Sequence, residues 1–193
     1  MRLVLSVILL ALGVVAIPPP RPAAAQSTVI DSVDLGMVYR RAVLGRNSLK
    51  DQLELCRDDA DKLNTIANVL KPETGAEDAL WKDWSEALKV AGNDLVRCLR
   101  AYKRLAEIAQ REIDEMRKRW QGEGAKPAVS ARDAGEFNKF VAGIDDEMNA
   151  MRDRADQMGK VAQKTVDDAN SALAQRGLAQ VLLALPFAEA LRL

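Results

Sequence analysis

Three long stretches of this chain place apolar residues at alternating steps of three and four, and this spacing constrains the fold more than any other feature. The third stretch keeps the pattern without a fault at Phe137, Val141, Ile144, Met148, Met151, Ala155, Met158, Ala162, Thr165, Ala169 and Ala172. An average step of about 3.5 residues over several heptads is typical of helices that pack along a coiled-coil seam. Charged residues lie between the seam positions, which predicts solvated outer faces.

Two breaks rich in proline and glycine divide the stretches: "KPETG" at 71–75 and "QGEGAKPAVS" at 121–130. Capping-box spacings at "TGAE" (74–77), "DWSE" (83–86) and "DAGE" (133–136) are candidate helix starts. Short connections make each helix fold back on its predecessor. We therefore predict an all-α fold, an elongated antiparallel three-helix bundle in one domain (26–193), with helices at about 35–70, 76–120 and 133–185.

The N-terminal segment 1–25 has the pattern of a secretory signal peptide. Arg2 precedes an apolar run at 3–17, and the small residues at 23–25 offer a cleavage point before Gln26. The run is about 15 residues long, whereas a membrane span needs about 20. We expect cleavage after Ala25 and a periplasmic or secreted protein; an uncleaved anchor is the alternative.

The charges give no sign of a nucleic-acid partner. Without Arg2 and Arg21, the processed chain has 26 basic and 28 acidic residues, a net charge of 26 − 28 = −2. The densest basic patch, "RKRW" at 117–120, closely follows three acidic residues. Nucleic-acid binding needs an uncompensated basic face, so we interpret this patch as a solvated helix face.

The chain lacks the residues on which most catalytic mechanisms depend. It has no histidine, the commonest general base and transition-metal ligand. It also lacks an SxxK pattern and a glycine-rich phosphate loop. Acidic clusters at 58–61, 145–147 and 167–168 do not have the spacing of a calcium loop. We expect no catalytic residue, metal or cofactor, and so a protein that is not an enzyme.

Cys56 and Cys98 are the only cysteines, and both fall on predicted seams. In the oxidising compartment that export predicts, such a pair usually forms a disulfide. The pairing requires the second helix to begin effectively at "DWSE". A start at "TGAE" would offset the two cysteines along the helix axis by roughly 10 Å. A disulfide tolerates a separation of at most about 7 Å between the Cα atoms. The alternatives are two buried thiols, or a redox-active or intermolecular pair.

The C-terminal segment 178–193 is the most apolar stretch outside the signal. One interpretation is a helical tail folded onto one end of the bundle, where Trp81 and Trp84 would also pack. The other is a segment that docks into a partner's groove or onto a membrane surface. The candidate docking residues are Leu178, Val181, Leu182, Leu185, Phe187 and Leu191.

The leading hypothesis is an exported, non-enzymatic protein that contacts another protein as a scaffold, an adaptor or a component of cell-envelope or secretion-system assembly. One alternative is a periplasmic chaperone that holds clients between helical arms. The segment "DSVDLGMVYRRA" (31–42) is similar to the first strand and turn of the Skp family of periplasmic chaperones, although the closing strands with which that family trimerises are absent. A periplasmic component of a type IV secretion system, which this chain resembles in architecture, and an enzyme or ligand carrier with an inter-helix pocket are further alternatives. The sequence leaves the oligomeric state open.

Overall fold

The computed structural model describes residues 32–121 and 129–192, so the predicted signal peptide lies outside the described residues. Within these ranges the chain forms four helices and no strand: α1 Ser32–Ala67, α2 Asp78–Gln121, α3 Ala131–Gln175 and the short α4 Phe187–Leu191. At 1.5 Å per residue, the three long helices measure about 54, 66 and 68 Å. The predicted all-α bundle of three long helices is confirmed.

Cross-helix contacts fix the directions of the helices. Arg41 near the start of α1 pairs with Glu112 near the end of α2, at 3.6 Å, so these helices are antiparallel. Thr165 near the end of α3 donates a hydrogen bond to Asn64 near the end of α1, at 3.0 Å, so α1 and α3 are parallel. The bundle therefore runs up, down and up. None of the described helices combines the length and the apolar character that crossing a membrane requires.

Residues at the predicted seams form the core. On α1 and α2 the buried seam residues are Leu35, Val38, Ala42, Leu49, Leu53, Cys56, Leu63, Trp81, Leu88, Ala91, Leu95, Cys98, Tyr102, Ala109, Ile113, Met116 and Trp120. They form one cluster with buried residues of α3 and of the C-terminal segment. Removal of this apolar surface from water is the main stabilising contribution, at about 25 cal/mol per Å².

On α3 the buried row departs from the predicted heptads. Phe137 and Ala172 are buried at predicted seam positions, and between them the buried row runs through Phe140, Ile144, Met148, Met151, Ala155, Gly159, Ala162, Val166 and Ala169 to Leu173. The steps along this row average about 3.7 residues, whereas the steps along the predicted seam average about 3.5 residues. Positions that repeat every 3.5 residues rotate by about 20° per heptad around the surface of a straight α-helix. The buried row therefore drifts away from the predicted seam, and the predicted seam residues Val141, Met158 and Thr165 are only partly buried.

The ends of α3 differ from the prediction for local reasons. The helix begins at Ala131 rather than at 133, because the Ser130 Oγ accepts a hydrogen bond from the Asp133 backbone N–H at 3.1 Å and acts as the cap. It ends at Gln175 rather than at 185, because Gly177 adopts a φ of 71°. The Leu178 N–H then bonds to the Leu173 carbonyl at 2.9 Å, a Schellman motif that reverses the chain.

After Gly177 the chain runs back along the groove between α2 and α3. Asn170 of α3 bonds to both backbone groups of Val181, at 2.6 and 3.0 Å. Asn93 of α2 accepts a hydrogen bond from the Ala184 N–H at 2.8 Å. The short α4 then packs against both α2 and α3. We call residues 178–192 the strap, because they close the seam between these two helices.

Glycine makes room for the strap on both helices that it contacts. A Cβ at Gly92 of α2 would lie 2.5 Å from the Leu183 side chain, and one at Gly159 of α3 would lie 3.2 Å from the Leu191 side chain. Both contacts are closer than ordinary van der Waals packing allows. The two glycines therefore let the strap approach the helix backbones.

Candidate functional site

Cys56 of α1 and Cys98 of α2 lie at disulfide distance, with their Cα atoms 5.4 Å apart. Both residues are buried, as their seam positions predict. The amide of Gln52, one turn before Cys56, lies 3.1 Å from the Cys98 sulfur and covers the pair from the side. The pairing ties the two helices together in the second half of α1.

The predicted start of the second helix at about residue 76 agrees with the structure, and the cysteines are paired. The condition that this pairing needs an effective start at "DWSE" was wrong. The helix begins at Asp78, directly after "TGAE", and "DWSE" lies inside it. The cysteines still meet because α1 ends at Ala67 and the first turns of α2 extend beyond that end. Residues 68–77 span the resulting offset as a loop, and its Leu70 is buried.

Trp81, Trp84 and Arg176 form the end of the bundle where α2 begins and α3 ends. Trp81 is fully buried, and its ring lies 6.4 Å from that of Trp84. Arg176 covers the Trp81 ring and donates hydrogen bonds to the carbonyls of Thr74 and Ala76, at 2.7 and 3.0 Å. Within residues 32–121 and 129–192, the Trp81 Nε1 is the one buried side-chain polar atom without a hydrogen-bond partner. These contacts are the end packing that the sequence predicted for both tryptophans.

The structure distributes the six candidate docking residues over the strap. Val181 and Phe187 are buried, Leu178, Leu185 and Leu191 are partly buried, and Leu182 is exposed. The segment lies along a seam rather than over one end of the bundle, and only 187–191 of it is helical. Most of its apolar surface is therefore already used within the chain.

Two arginines of the basic patch at 117–120 form ion pairs with neighbouring helices. Arg117 pairs with Asp145 of α3 at 2.7 Å, and Arg119 pairs with Asp34 of α1. Trp120 is buried. The interpretation as a purely solvated face was therefore incomplete, because acidic residues of both neighbouring helices neutralise the two arginines.

The remaining acidic clusters do not converge. Asp145 and Glu147 are engaged by Arg117 and by Arg46 of α1. Across the described part of the chain, no three side chains of the His, Cys, Asp and Glu types come together in a way that could hold a metal ion. The cluster at 58–61 borders a groove between α1 and α2.

Five exposed large apolar side chains of the α1–α2 hairpin share one side. Met37 and Leu55 of α1 are exposed, as are Val90 and Ile108 of α2. The two members of each pair are separated by about five full helical turns, so they point in the same direction. Leu44 follows Met37 by about two turns and lies on the same side. We call this side of the hairpin the outer face.

The outer face points away from α3. Tyr39, Arg46 and Asn64 of α1 contact α3, and helical periodicity places them on the opposite side of α1 from Leu55. Gly92 of α2, which contacts the strap, lies similarly opposite Val90. The outer face is therefore the side of the hairpin that neither α3 nor the strap covers.

An open groove of about 690 Å³ lies between α1 and α2 at one end of the outer face. We call it the acidic groove. It is lined by Asp58, Asp59, Asp61, Lys62, Thr65, Ile66, Ala87, Val90, Ala91 and Asp94. The apolar members form the floor, while four carboxylates and one ammonium group form the rim.

Comparisons with family models, curated proteins and solved structures found no match for this chain. The helix over 32–42 also differs from the strand that the similarity to the Skp family implied for this segment.

Sequence reasoning missed the outer face. Leu44, Leu55 and Val90 lie off the predicted seams, and single exposed apolar residues are common on protein surfaces. A signal was nevertheless present, because the same residue class recurs at five-turn spacing on both helices. Joining the two rows required the register of α1 against α2, which the cysteine pair supplies.

Proposed function

We propose that this chain is an exported, non-catalytic scaffold that binds another protein through the outer face. The observation that carries the proposal is the alignment of five exposed apolar side chains on the uncovered side of one hairpin. Apolar residues gathered on one surface mark protein contact sites more often than scattered ones do.

The construction of the hairpin supports this role. The Cys56–Cys98 pair ties α1 to α2 beneath the outer face. A surface held rigid before binding loses less conformational entropy when a partner docks. The hairpin would therefore present its apolar rows in a fixed geometry.

The distribution of polar groups favours contact over catalysis. Within residues 34–121 and 129–192, no charged side chain is buried, and Tyr102 is the one buried titratable residue besides the cysteine pair. Enzyme sites usually hold titratable groups in a concave, partly desolvated place. The chaperone alternative has less support, because the strap already occupies the space between α2 and α3 in which a client would be held.

Site-specific photocrosslinking in cells that make the protein tests the proposal. A photoreactive residue at Leu44 or at Ile108 should give the same adduct of higher mass, since both positions lie on the outer face. Val161 of α3 is exposed to a similar degree and is the matched control, which should not give that adduct. Absence of adducts from both outer-face positions, or the same adduct from all three, would contradict the proposal.

Export is tested separately. The N-terminal residue of the protein recovered from the envelope or the medium should be Gln26, because the small residues at 23–25 precede it. Recovery of the intact chain in the cytosolic fraction would contradict export.

A further inference from the structure

We propose that the acidic groove receives a basic amphipathic helix of the partner protein. This inference rests on the proposed function, because it names the chemistry of the partner at one end of the outer face. It depends on three properties of the groove: its apolar floor, its charge and its direction.

The floor of the groove is apolar and open. Ile66 of α1 and Val90 and Ala91 of α2 contribute to it, and Val90 is 58% exposed. The small side chains of Ala87 and Ala91 leave the groove open between the two helices. A volume of about 690 Å³ accommodates several aliphatic side chains from one face of a helix.

The rim of the groove is strongly acidic. Asp59 forms an ion pair with Lys62 at 2.9 Å, and no cation of residues 32–121 or 129–192 pairs with Asp58 or Asp61. The hydrogen bond and charge of Asp59 raise the pKa of Lys62, and the charges of Asp58 and Asp94 raise it further. The surrounding potential is therefore negative even at the ammonium group.

One further cation borders the groove. Arg97 lies one turn after Asp94 on α2 and forms an ion pair with it. The Asp94 carboxylate is therefore already paired. Asp58 and Asp61 are both exposed and are the groups left for a partner. Lysine or arginine side chains flanking an apolar stripe would reach them, whereas anionic lipid surfaces and nucleic acids would be repelled.

The direction of the groove fits a helix. It lies between two antiparallel helices, where an amphipathic helix can lay its apolar face. From Val90 the outer face continues along α2 to Ile108, with Leu44 of α1 beside that end. The distance from Val90 to Ile108 is about 27 Å at helical rise, so a partner helix of about five turns would cover it.

A synthetic helical peptide is the probe for the groove. It carries leucines at the i, i+3, i+4 and i+7 spacing with lysines on both flanks of the stripe, and a second peptide has glutamates in place of the lysines. Fluorescence anisotropy should show binding of the lysine peptide alone, and added salt should weaken it. Equal binding of the two peptides, or no binding of the lysine peptide, would overturn the inference.

Charge-neutral variants locate the binding. The double variant Asp58→Asn and Asp61→Asn should bind the lysine peptide at least about fivefold more weakly, because two exposed ion pairs are lost. The matched control, Asp146→Asn with Asp153→Asn, removes two exposed carboxylates of α3 and should change the affinity less than about twofold. Circular dichroism checks that both variants keep their helix content. Equal affinities of the wild-type protein and the Asp58/Asp61 variant would overturn the inference.

Two further outcomes are informative. A concentration-dependent dimer that the lysine peptide dissociates would assign the groove to a second copy of this chain and would overturn the proposed partner. Crosslinks from Leu44 and Ile108 without peptide binding would reject the inference of a basic helix and leave the proposed function standing. Peptide binding without crosslinks would reject the proposed function.

Discussion

The guanidinium of Arg176 lies over the indole of Trp81, with 4.3 Å between its central carbon and the ring centre. Arg176 follows the last residue of α3, and Trp81 lies in the first turn of α2. The same guanidinium holds the carbonyls of Thr74 and Ala76 in the preceding loop. One side chain therefore joins the end of α3, the loop 68–77 and the start of α2.

We expect Arg176→Ala to lower the free energy of unfolding by about 2–3 kcal/mol. The substitution removes a cation–π contact and leaves two carbonyls without their charged donor. Tryptophan emission should shift to longer wavelength as water reaches Trp81. Urea unfolding followed by fluorescence measures both effects. Arg132→Ala is the control, because Arg132 is 87% exposed and pairs with Glu136 in the next turn of its own helix; an equal loss in both variants would contradict the assigned role.

Much of the bundle could be predicted from apolar spacing alone. Cys56 and Cys98 illustrate this, because their seam positions predicted the burial and the contact that the structure shows. The end of α3 could also have been placed, since Gly177 is the residue that a Schellman motif favours. The prediction extended the helix to 185 because one interpretation of the C-terminal segment was a helical tail.

The strap and the outer face could not be predicted in the same way. Whether Leu182 or Phe187 is buried depends on how far apart α2 and α3 lie, and heptad spacing does not specify that distance. Likewise, Leu44 becomes part of a shared surface only because Ile108 lies beside it across the hairpin. These features depend on tertiary packing, which local sequence patterns do not encode.

Loss of the cysteine pair should destabilise the bundle without unfolding it. A disulfide between the two cysteines would close a loop with a sequence separation of 42 residues, so we expect Cys56→Ala with Cys98→Ala to cost about 4 kcal/mol in the chain-entropy model. The urea midpoint should fall while the helical circular dichroism remains. Thiol titration of the unfolded wild-type protein provides the control, since a bridged pair gives no signal before reduction. Two reactive thiols, or an unchanged midpoint, would contradict the pairing.

The strap should contribute to stability through its buried residues alone. Phe187 is fully buried, whereas Leu182 is 77% exposed. We expect Phe187→Ala to cost about 3–5 kcal/mol through the cavity that it leaves, and Leu182→Ala to cost less than about 0.5 kcal/mol. Urea unfolding of the two variants measures the difference. Equal costs would contradict the observed path of residues 178–192.

Substitution of alanine for two helical glycines should change the stability of the protein in opposite directions. A Cβ at Gly143 of α3 meets nothing within 4 Å, whereas one at Gly45 of α1 would lie 3.2 Å from the Ala109 Cα. Gly143→Ala should therefore raise stability by about 1 kcal/mol through helix propensity. Gly45→Ala should lose that gain and cost about 1 kcal/mol or more, because α1 and α2 must move apart. Thermal unfolding measures both, and a gain from Gly45→Ala would contradict the close approach.

Tyr102 should make the bundle sensitive to alkaline pH. Burial raises the pKa of this phenol to about 12, while the charge of Arg152 lowers it and that of Asp156 raises it. In the unfolded chain the phenol of Tyr102 ionises near pH 10. The contribution of Tyr102 to the free energy of unfolding is therefore complete below about pH 10, and it decreases by about 2 kcal/mol as the pH rises to about 12. Urea midpoints across this range, compared with those of Tyr102→Phe, isolate the effect. Parallel pH profiles for the two proteins would contradict it.

The strap also sets the order in which the molecule can be completed. Val181, Phe187 and Ala190 belong to the core, so the seam between α2 and α3 stays unfilled until the ribosome has passed these codons. A nascent polypeptide that lacks residues 178–192 cannot reach its finished packing. For a protein threaded through a secretion pore, such lateness would keep the three long helices loosely packed, and so transportable, until the strap emerges.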